Sequence, residues 1–183
     1  LSGGNGVKKD RYNYLFGPVP SRRLGRSLGV DLTPFKTCSL DCVFCQLGRT
    51  TNKTMLRKEY VPVADVNSEL DMWFSKGGTA DYITLSGSGE PTLNTGFGNV
   101  IEHIRAKGSV PAVLLSNGTL FWMPEVREAA LQADIVKLSL SVWDQFSFEH
   151  VNRPHDKLDL KRIVGGQRAF REEFDGKLWI EVF

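Results

Sequence analysis

The sequence predicts an α/β fold in which strands and helices alternate to form part of a TIM-like barrel. Three observations indicate this class. Five short runs have strand character, apolar stripes at helical spacing lie between them, and polar motifs follow the first three. In such barrels the active site lies at the carboxyl ends of the strands, so we expect these motifs to meet there.

The elements follow one another in a regular βα order. The five predicted strands, which begin at Ser27, Tyr82, Ala112, Ile135 and Leu178, read SLGVDL, YITLS, AVLLS, IVKLSL and LWIEVF. Apolar stripes predict helices over residues 63–74 and 97–104. A third helix begins near Pro124, because proline suits a first helical turn, and a fourth covers residues 160–164.

The first and last predicted strands set the domain boundaries. Residues 1–26 form a predicted basic N-terminal extension, and residues 27–183 form the core. Because LWIEVF reads as a strand with no cap or helix after it, we expect the core to be truncated after this fifth strand. The cations of the extension indicate either a solvated surface or a positive rim for RNA; they are Lys8, Lys9, Arg11, Arg22, Arg23 and Arg26.

The composition is that of an ordinary globular protein. Of the 183 residues, 41% are hydrophobic and 24% are charged, and the net charge of +2 is too small to indicate nucleic-acid binding by itself. No stretch approaches the roughly 18 apolar residues of a membrane span. We therefore expect one soluble, cytoplasmic domain with no membrane partner.

All three cysteines lie within one eight-residue segment, at Cys38, Cys42 and Cys45. Four thiolates normally saturate an iron-sulfur cluster, so three on one loop predict a cluster with one open iron. The odd number argues against a disulfide framework. Two alternatives stay open: an electron-transfer module with a fourth ligand from elsewhere, and a zinc-stabilised RNA-binding domain.

The cysteine spacing and a second motif resemble the radical S-adenosylmethionine (SAM) superfamily. Phe44, directly before the third cysteine, matches the aromatic position of that family's CxxxCxxC loop. The GSGE motif at residues 87–90 is similar to its glycine-rich motif. The longer run from Phe16 to Thr51 resembles uncharacterised iron-sulfur oxidoreductases related to the tRNA wyosine-base synthases, although those synthases carry additional cysteines.

The resemblance implies a partial (β/α)6 barrel that holds a 4Fe-4S cluster on the three cysteines, with SAM on the open iron. It also implies an enzyme that cleaves SAM reductively to a 5'-deoxyadenosyl radical, which takes hydrogen from an unidentified substrate. A tRNA-related substrate is one interpretation. A low-potential donor, flavodoxin or ferredoxin, would supply the electron.

The resemblance assigns cofactor-binding roles to positions at the strand ends. These candidates are Phe44, Gly87, Ser88, Gly89, Glu90, Ser116, Asn117, Ser139, Ser141 and Arg153. Glu90 and the glycine-rich backbone before it would hold the ammonium of SAM. Ser116 and Asn117 would bind the ribose, with an Asn-Gly turn as the alternative. Ser139 and Ser141 would contact the carboxylate or sulfonium region of SAM, and Arg153 would pair with an anion.

Alternation within the strands predicts a polar lumen. Side chains of a strand point to opposite faces in turn, so the polar residues of the fourth strand share one face. By the same parity that face carries Asp31, Thr84, Ser86, Lys137, Ser139, Ser141 and Glu181. A lumen of this character indicates a wet binding cavity rather than a packed core. The alternative is that Lys137 and Glu181 pair with each other in the interior.

Overall fold

The computed structural model describes residues 12–108 and 110–182, and a central sheet organises this part of the chain. The strands of that sheet are β1 (Leu15–Ser21), β2 (Gly25–Val30), β5 (Tyr82–Leu85), β6 (Ala112–Ser116), β7 (Ile135–Ser139) and β8 (Lys177–Glu181). A separate parallel pair consists of β3 (Thr37–Cys38) and β4 (Asn52–Lys53). The basic residues Lys8, Lys9 and Arg11 lie outside the described residues.

The sheet confirms the five predicted parallel strands. Its order is β1-β2-β5-β6-β7-β8, and all neighbours from β2 to β8 pair in parallel. The sequence predicts no strand before Ser27, whereas the structure has β1, which pairs antiparallel with β2 at the edge of the sheet. The sheet therefore extends across the predicted boundary between residues 26 and 27.

The four predicted helices are confirmed as α1 (Val63–Ser75), α2 (Phe97–Ala106), α3 (Pro124–Ala130) and α5 (Leu160–Glu173). A short additional helix, α4 (Gln145–Ser147), runs directly into a π-helical turn, Phe148–Asn152. No described helix combines the length and apolar character that a membrane span requires.

The main core lies between these helices and one face of the sheet. The apolar stripe of α1 contributes Val66, Leu70 and Trp73, and α2 contributes its own stripe against the same strands. Phe121 from the β6–α3 connection packs edge-on against Phe170 of α5. Each fully buried side chain of this size contributes about 1.5–3 kcal/mol, so this layer fixes the positions of the strand ends.

The opposite face of the sheet carries both apolar and polar side chains, and its polar side chains include Ser27 and Thr84, whose hydroxyls hydrogen-bond to each other. Nearer the amino ends of the strands, Val113, Ile135 and Leu24 form an apolar cluster with Trp179 packed against it. Apolar side chains therefore fill part of this face, while the predicted polar residues Lys137, Ser139 and Glu181 line a cavity toward the carboxyl ends of the strands. This apolar layer supports a polar cavity at the end where the motifs lie.

Candidate functional site

Cys38 ends β3, and the loop that connects β3 to β4 carries Cys42 and Cys45. Inside it the buried Asp41 carboxylate accepts a hydrogen bond from the Thr50 backbone N–H at 2.7 Å, and the Thr50 hydroxyl donates to the Leu40 carbonyl at 2.7 Å. A tight turn brings the Cys45 N–H within 3.1 Å of the Cys42 carbonyl. These bonds hold the loop in one conformation, and none of the cysteines forms a disulfide.

Each cysteine sulfur accepts a hydrogen bond from a different side-chain nitrogen. The three pairs are Lys36 Nζ to Cys45 Sγ at 3.1 Å, Asn152 Nδ2 to Cys42 Sγ at 3.1 Å, and Asn117 Nδ2 to Cys38 Sγ at 3.5 Å. We call these the three nitrogen donors. They come from the segment before β3, the π-helical turn and the end of β6, so distant parts of the chain converge on the sulfurs.

Burial makes two of the thiols hard to ionise. It raises the pKa of Cys38 to about 12, and the nearby charge of Glu90 acts in the same direction. Burial also raises the pKa of Cys42, against the opposing effect of the hydrogen bond from Asn152. Both side chains are therefore thiols at neutral pH unless a cation stabilises their thiolate forms.

The GSGE motif follows β5 and is joined directly to the cysteine loop. The Lys36 N–H donates to the Ser88 carbonyl at 2.7 Å, and the Glu90 N–H donates to the Thr37 carbonyl at 3.0 Å. A Cβ at Gly89 would lie only 1.9 Å from the Thr37 carbonyl oxygen, so glycine is required for this close approach. The two sequence motifs thus form one structural unit.

Glu90 links this unit to the end of β6. Its side chain is buried, and its Oε1 accepts from the Thr92 N–H, the Thr92 hydroxyl and the Ser116 hydroxyl. Its Oε2 accepts from the Asn117 backbone N–H at 2.8 Å. A carboxylate offers about four lone-pair sites, so Oε2 retains capacity for another donor.

Asn117 forms the turn that its Asn-Gly sequence predicts. Its Oδ1 accepts from the N–H and the hydroxyl of Thr119, at 2.9 and 2.7 Å, and Gly118 has φ of 78°. Its Nδ2 also donates to the Ser39 hydroxyl at 2.9 Å. The ribose role of this side chain stays a prediction, because its polar atoms already bond within the protein.

A cavity of about 310 Å³ opens beside the cysteines and the end of the GSGE motif. Apolar side chains form one side of it, including Leu40, Phe148 and Leu160. The predicted site residues that line it are Cys38, Cys42, Phe44, Cys45, Gly89, Glu90, Ser116, Asn117, Ser139 and Ser141. The structure therefore gathers most of the predicted residues around one space.

The polar end of the cavity contains a half-buried ion pair. Lys137 Nζ lies 2.8 Å from Glu181 Oε2 and 3.3 Å from the Ser139 hydroxyl, and Arg23 also donates to Glu181. Burial alone would raise the pKa of Glu181, but the hydrogen bonds from Lys137 and Arg23 outweigh it and lower that pKa. The interpretation that Lys137 and Glu181 pair is confirmed, and the pair lines the cavity.

Three predicted cofactor-binding residues lie elsewhere. Gly87 and Ser88 line a neighbouring groove together with Asp31, whose Oδ2 accepts from the Ser88 N–H at 3.0 Å. Arg153 is exposed and lines a different groove with Lys53. Its role as an anion partner stays a prediction, and the structure does not place it among the residues that line the main cavity.

Sequence reasoning missed all three nitrogen donors as sulfur contacts, and it assigned Asn117 to the ribose of SAM instead. Lys36 stands two positions before the first cysteine, and this proximity is the signal that could have indicated it. Asn152 has no comparable signal, because nothing in the sequence shows that a π-helical turn directs it toward Cys42, 110 positions away.

Comparison with known families identifies the class of this site. A model of the radical SAM superfamily matches residues 32–180, a span that begins just after β2 and includes both motifs, β5, β6, β7 and all of β8 except its last residue. The chain therefore belongs to the radical SAM superfamily. Membership implies SAM and an iron-sulfur cluster as cofactors.

Several curated relatives carry the name UPF0026. A UPF0026 protein of Methanocaldococcus jannaschii is 39% identical over 168 residues, which cover 91% of this chain and 52% of that protein. A UPF0026 protein of Synechocystis is 37% identical over 169 residues, covering 91% and 63%. The chain spans about half the length of the curated relatives it matches.

Solved structures share the fold at low sequence identity. TYW1 with a lysine-pyruvate adduct bound has a TM-score of 0.58 at 15% identity and covers 87% of this chain and 56% of that one. The protein anSMEcpe with bound AdoMet has a TM-score of 0.58 at 17% identity, covering 84% and 42%. Streptococcus suis SuiB bound to precursor peptide SuiA has a TM-score of 0.60 at 19% identity, covering 83% and 32%.

The donor set fits an iron-sulfur cluster better than a single zinc ion. Among the described residues, no three Cys, His, Asp or Glu side chains are arranged to hold one metal ion. Zinc needs its sulfur ligands within about 2.3 Å of one centre, whereas cluster thiolates bind separate iron atoms and stand further apart. Three sulfurs that line one cavity, each with a nitrogen donor, suit the cluster.

Proposed function

We propose that this chain is the SAM-cleaving part of a radical SAM enzyme with a 4Fe-4S cluster on Cys38, Cys42 and Cys45. One observation carries the proposal: the three sulfurs and Glu90 of the GSGE motif line the same cavity. Three thiolates leave one iron of a cube open for SAM, beside the motif that would hold its ammonium.

A 4Fe-4S cluster held by the three cysteines would supply the one electron needed for reductive cleavage of SAM to methionine and a 5'-deoxyadenosyl radical, which would take a hydrogen atom from the substrate to give 5'-deoxyadenosine. The protein contributes binding and orientation. The apolar side of the cavity, with Leu40 and Phe148, excludes water from the reacting atoms.

Individual side chains have distinct proposed tasks. Glu90 accepts the SAM ammonium through Oε2, which has the spare acceptor capacity. Ser139 and Ser141 line the same cavity and offer hydroxyls to the carboxylate or sulfonium region. Lys137 is neutralised by Glu181, so it presents a polar surface without an unpaired charge.

The electron donor and the substrate follow from this chemistry. We propose flavodoxin or ferredoxin as the donor, because SAM cleavage needs a low-potential electron. Three unpaired cysteines fit a reducing compartment, and we propose the cytoplasm. The substrate class stays open, with a tRNA-related substrate as one interpretation.

Anaerobic reconstitution of the full chain with iron and sulfide, followed by dithionite and SAM, tests the proposal. We expect about four irons per chain and formation of 5'-deoxyadenosine and methionine. Cys42→Ala should lose the cluster and both products, whereas Val43→Ala, at an exposed position of the same loop, should retain them.

The two rival functions give different results in the same experiment. An electron-transfer module would bind iron and sulfide, but its spectrum would not respond to SAM. A zinc-stabilised RNA-binding domain would contain zinc and no sulfide even when prepared without oxygen. Wild-type protein with four irons and no SAM cleavage would refute the enzymatic proposal.

A further inference from the structure

Lys36 is a buried cation that contacts a cysteine sulfur. Its residue is only 3% exposed, and its Nζ lies 3.1 Å from Cys45 Sγ. None of the ion pairs among the described residues includes Lys36. A buried ammonium normally requires a negative partner, so this placement points to negative charge on the sulfur side.

The backbone at Lys36 adds a second, independent observation. Among the described residues, two that are not glycine have positive φ: Lys36 at 58° and Arg153 at 44°. Lys36 is one of the three nitrogen donors, and Arg153 directly follows another, Asn152. Left-handed backbone is unfavourable for such residues and persists where the surrounding structure demands it, commonly at functional sites.

These observations distinguish the two contacts by charge. Lys36 offers a full positive charge to Cys45, and Asn152 offers a neutral N–H to Cys42. A cluster that gains an electron becomes more negative, so a nearby positive charge stabilises its reduced form and raises its reduction potential. Hydrogen bonds to the sulfurs act in the same direction with a smaller effect.

We infer that Lys36 is a positioning residue that raises the reduction potential of the iron-sulfur cluster and slows its loss, with Asn152 as a weaker neutral counterpart. The inference rests on the proposed function, since it requires a cluster on the three cysteines. It assigns no step of SAM cleavage to either side chain. The electron itself comes from an external reductant.

Lys36→Met tests the inference, because it keeps much of the side-chain length and removes the charge and the donor. The reconstituted full chain is titrated with dithionite and followed by electron paramagnetic resonance, and iron release to a chelator is timed separately. We expect a more negative midpoint potential and an iron release about 10- to 100-fold faster. Neither readout depends on turnover.

Three further variants make the result specific. Asn152→Leu should lower the potential by less than Lys36→Met, and Lys36→Arg should restore values near those of the wild type. Lys161→Met, which removes an exposed lysine of α5, should change neither readout. Circular dichroism melting shows whether each variant is folded. The inference is also supported if Lys36→Met folds but binds no iron while Lys36→Arg binds it.

Two outcomes count against it in different ways. A Lys36→Met protein with full iron content, an unchanged potential and an unchanged rate of iron loss overturns the role of Lys36 and leaves the proposed function intact. Wild-type protein that assembles no cluster overturns the proposed function and the inference together.

Discussion

At the scale of single residues, Glu90 joins the three motif-bearing segments of the site. Its carboxylate accepts four hydrogen bonds, from Thr92, Ser116 and Asn117, while its N–H donates to Thr37 in the cysteine segment. A buried acceptor with this many donors is costly to replace, because each donor would lose its partner. Glu90 is therefore structural as well as a proposed SAM ligand.

Glu90→Gln should destabilise the fold and weaken SAM binding. The amide replaces one acceptor oxygen with a donor, so at least one N–H or hydroxyl faces another donor, at a cost of about 1–3 kcal/mol. Urea unfolding measures the stability, and calorimetry measures SAM binding to the reconstituted protein. Glu128→Gln, at an exposed position of α3, should match the wild type in stability and in SAM binding. Equal stability of Glu90→Gln and wild type would contradict this account.

At the scale of elements, the sequence predicted strands that have a regular apolar pattern and missed the one that does not. The strand β1 contains Pro18 and Pro20, and proline is tolerated in a sheet mainly at an edge, which is where β1 lies. The cysteine trio was predictable from spacing alone. The contacts of Lys36 and Asn152 were not, because they depend on left-handed and π-helical backbone that no local pattern signals.

Helix α5 offers a paired test of its packing, because two adjacent glycines have opposite surroundings. Nothing lies within 4 Å of a Cβ built at Gly165, whereas a Cβ at Gly166 would lie 2.2 Å from the Trp122 backbone nitrogen. Gly165→Ala should stabilise the protein by about 0.5–1 kcal/mol, since alanine is the better helix former. Gly166→Ala should destabilise it by about 1–3 kcal/mol through overpacking.

Chemical unfolding of the two variants and the wild type measures the sign of each change in the free energy of unfolding. Because they differ by one position in the same helix, each serves as the control for the other. A Gly166→Ala variant that is as stable as Gly165→Ala would show that α5 does not pack closely against the connection after β6.

At the scale of the whole molecule, one ion-pair network shows that the sheet is curved. Arg23 lies in the turn between β1 and β2, and its partner Glu181 lies on β8, 158 positions later and at the far edge of the sheet. Four strand spacings separate β2 from β8, which is about 19 Å in a flat sheet and beyond the reach of an arginine side chain. The sheet must therefore curve around its polar face, as a partial barrel does.

The network also makes the stability of the whole fold depend on pH. The pKa of Glu181 lies below its ordinary value of 4.5, since hydrogen bonds from Lys137 and Arg23 outweigh the effect of burial. A carboxyl whose pKa is lowered on folding stabilises the folded state above its unfolded pKa. That contribution is lost as the pH falls below about 4.5 and passes through the folded pKa. At neutral pH the stabilisation is fully present.

Glu181→Gln should remove this part of the pH dependence. The amide cannot ionise, so the difference in unfolding free energy between wild type and variant should be largest near neutral pH and should shrink as the pH falls through the acidic range. Urea unfolding of both proteins between about pH 3 and pH 7 measures it. Glu102→Gln, an exposed substitution on α2, supplies the control curve. A wild-type to Glu181→Gln difference that stays constant across this range would show that the closure of the sheet does not depend on the charge of Glu181.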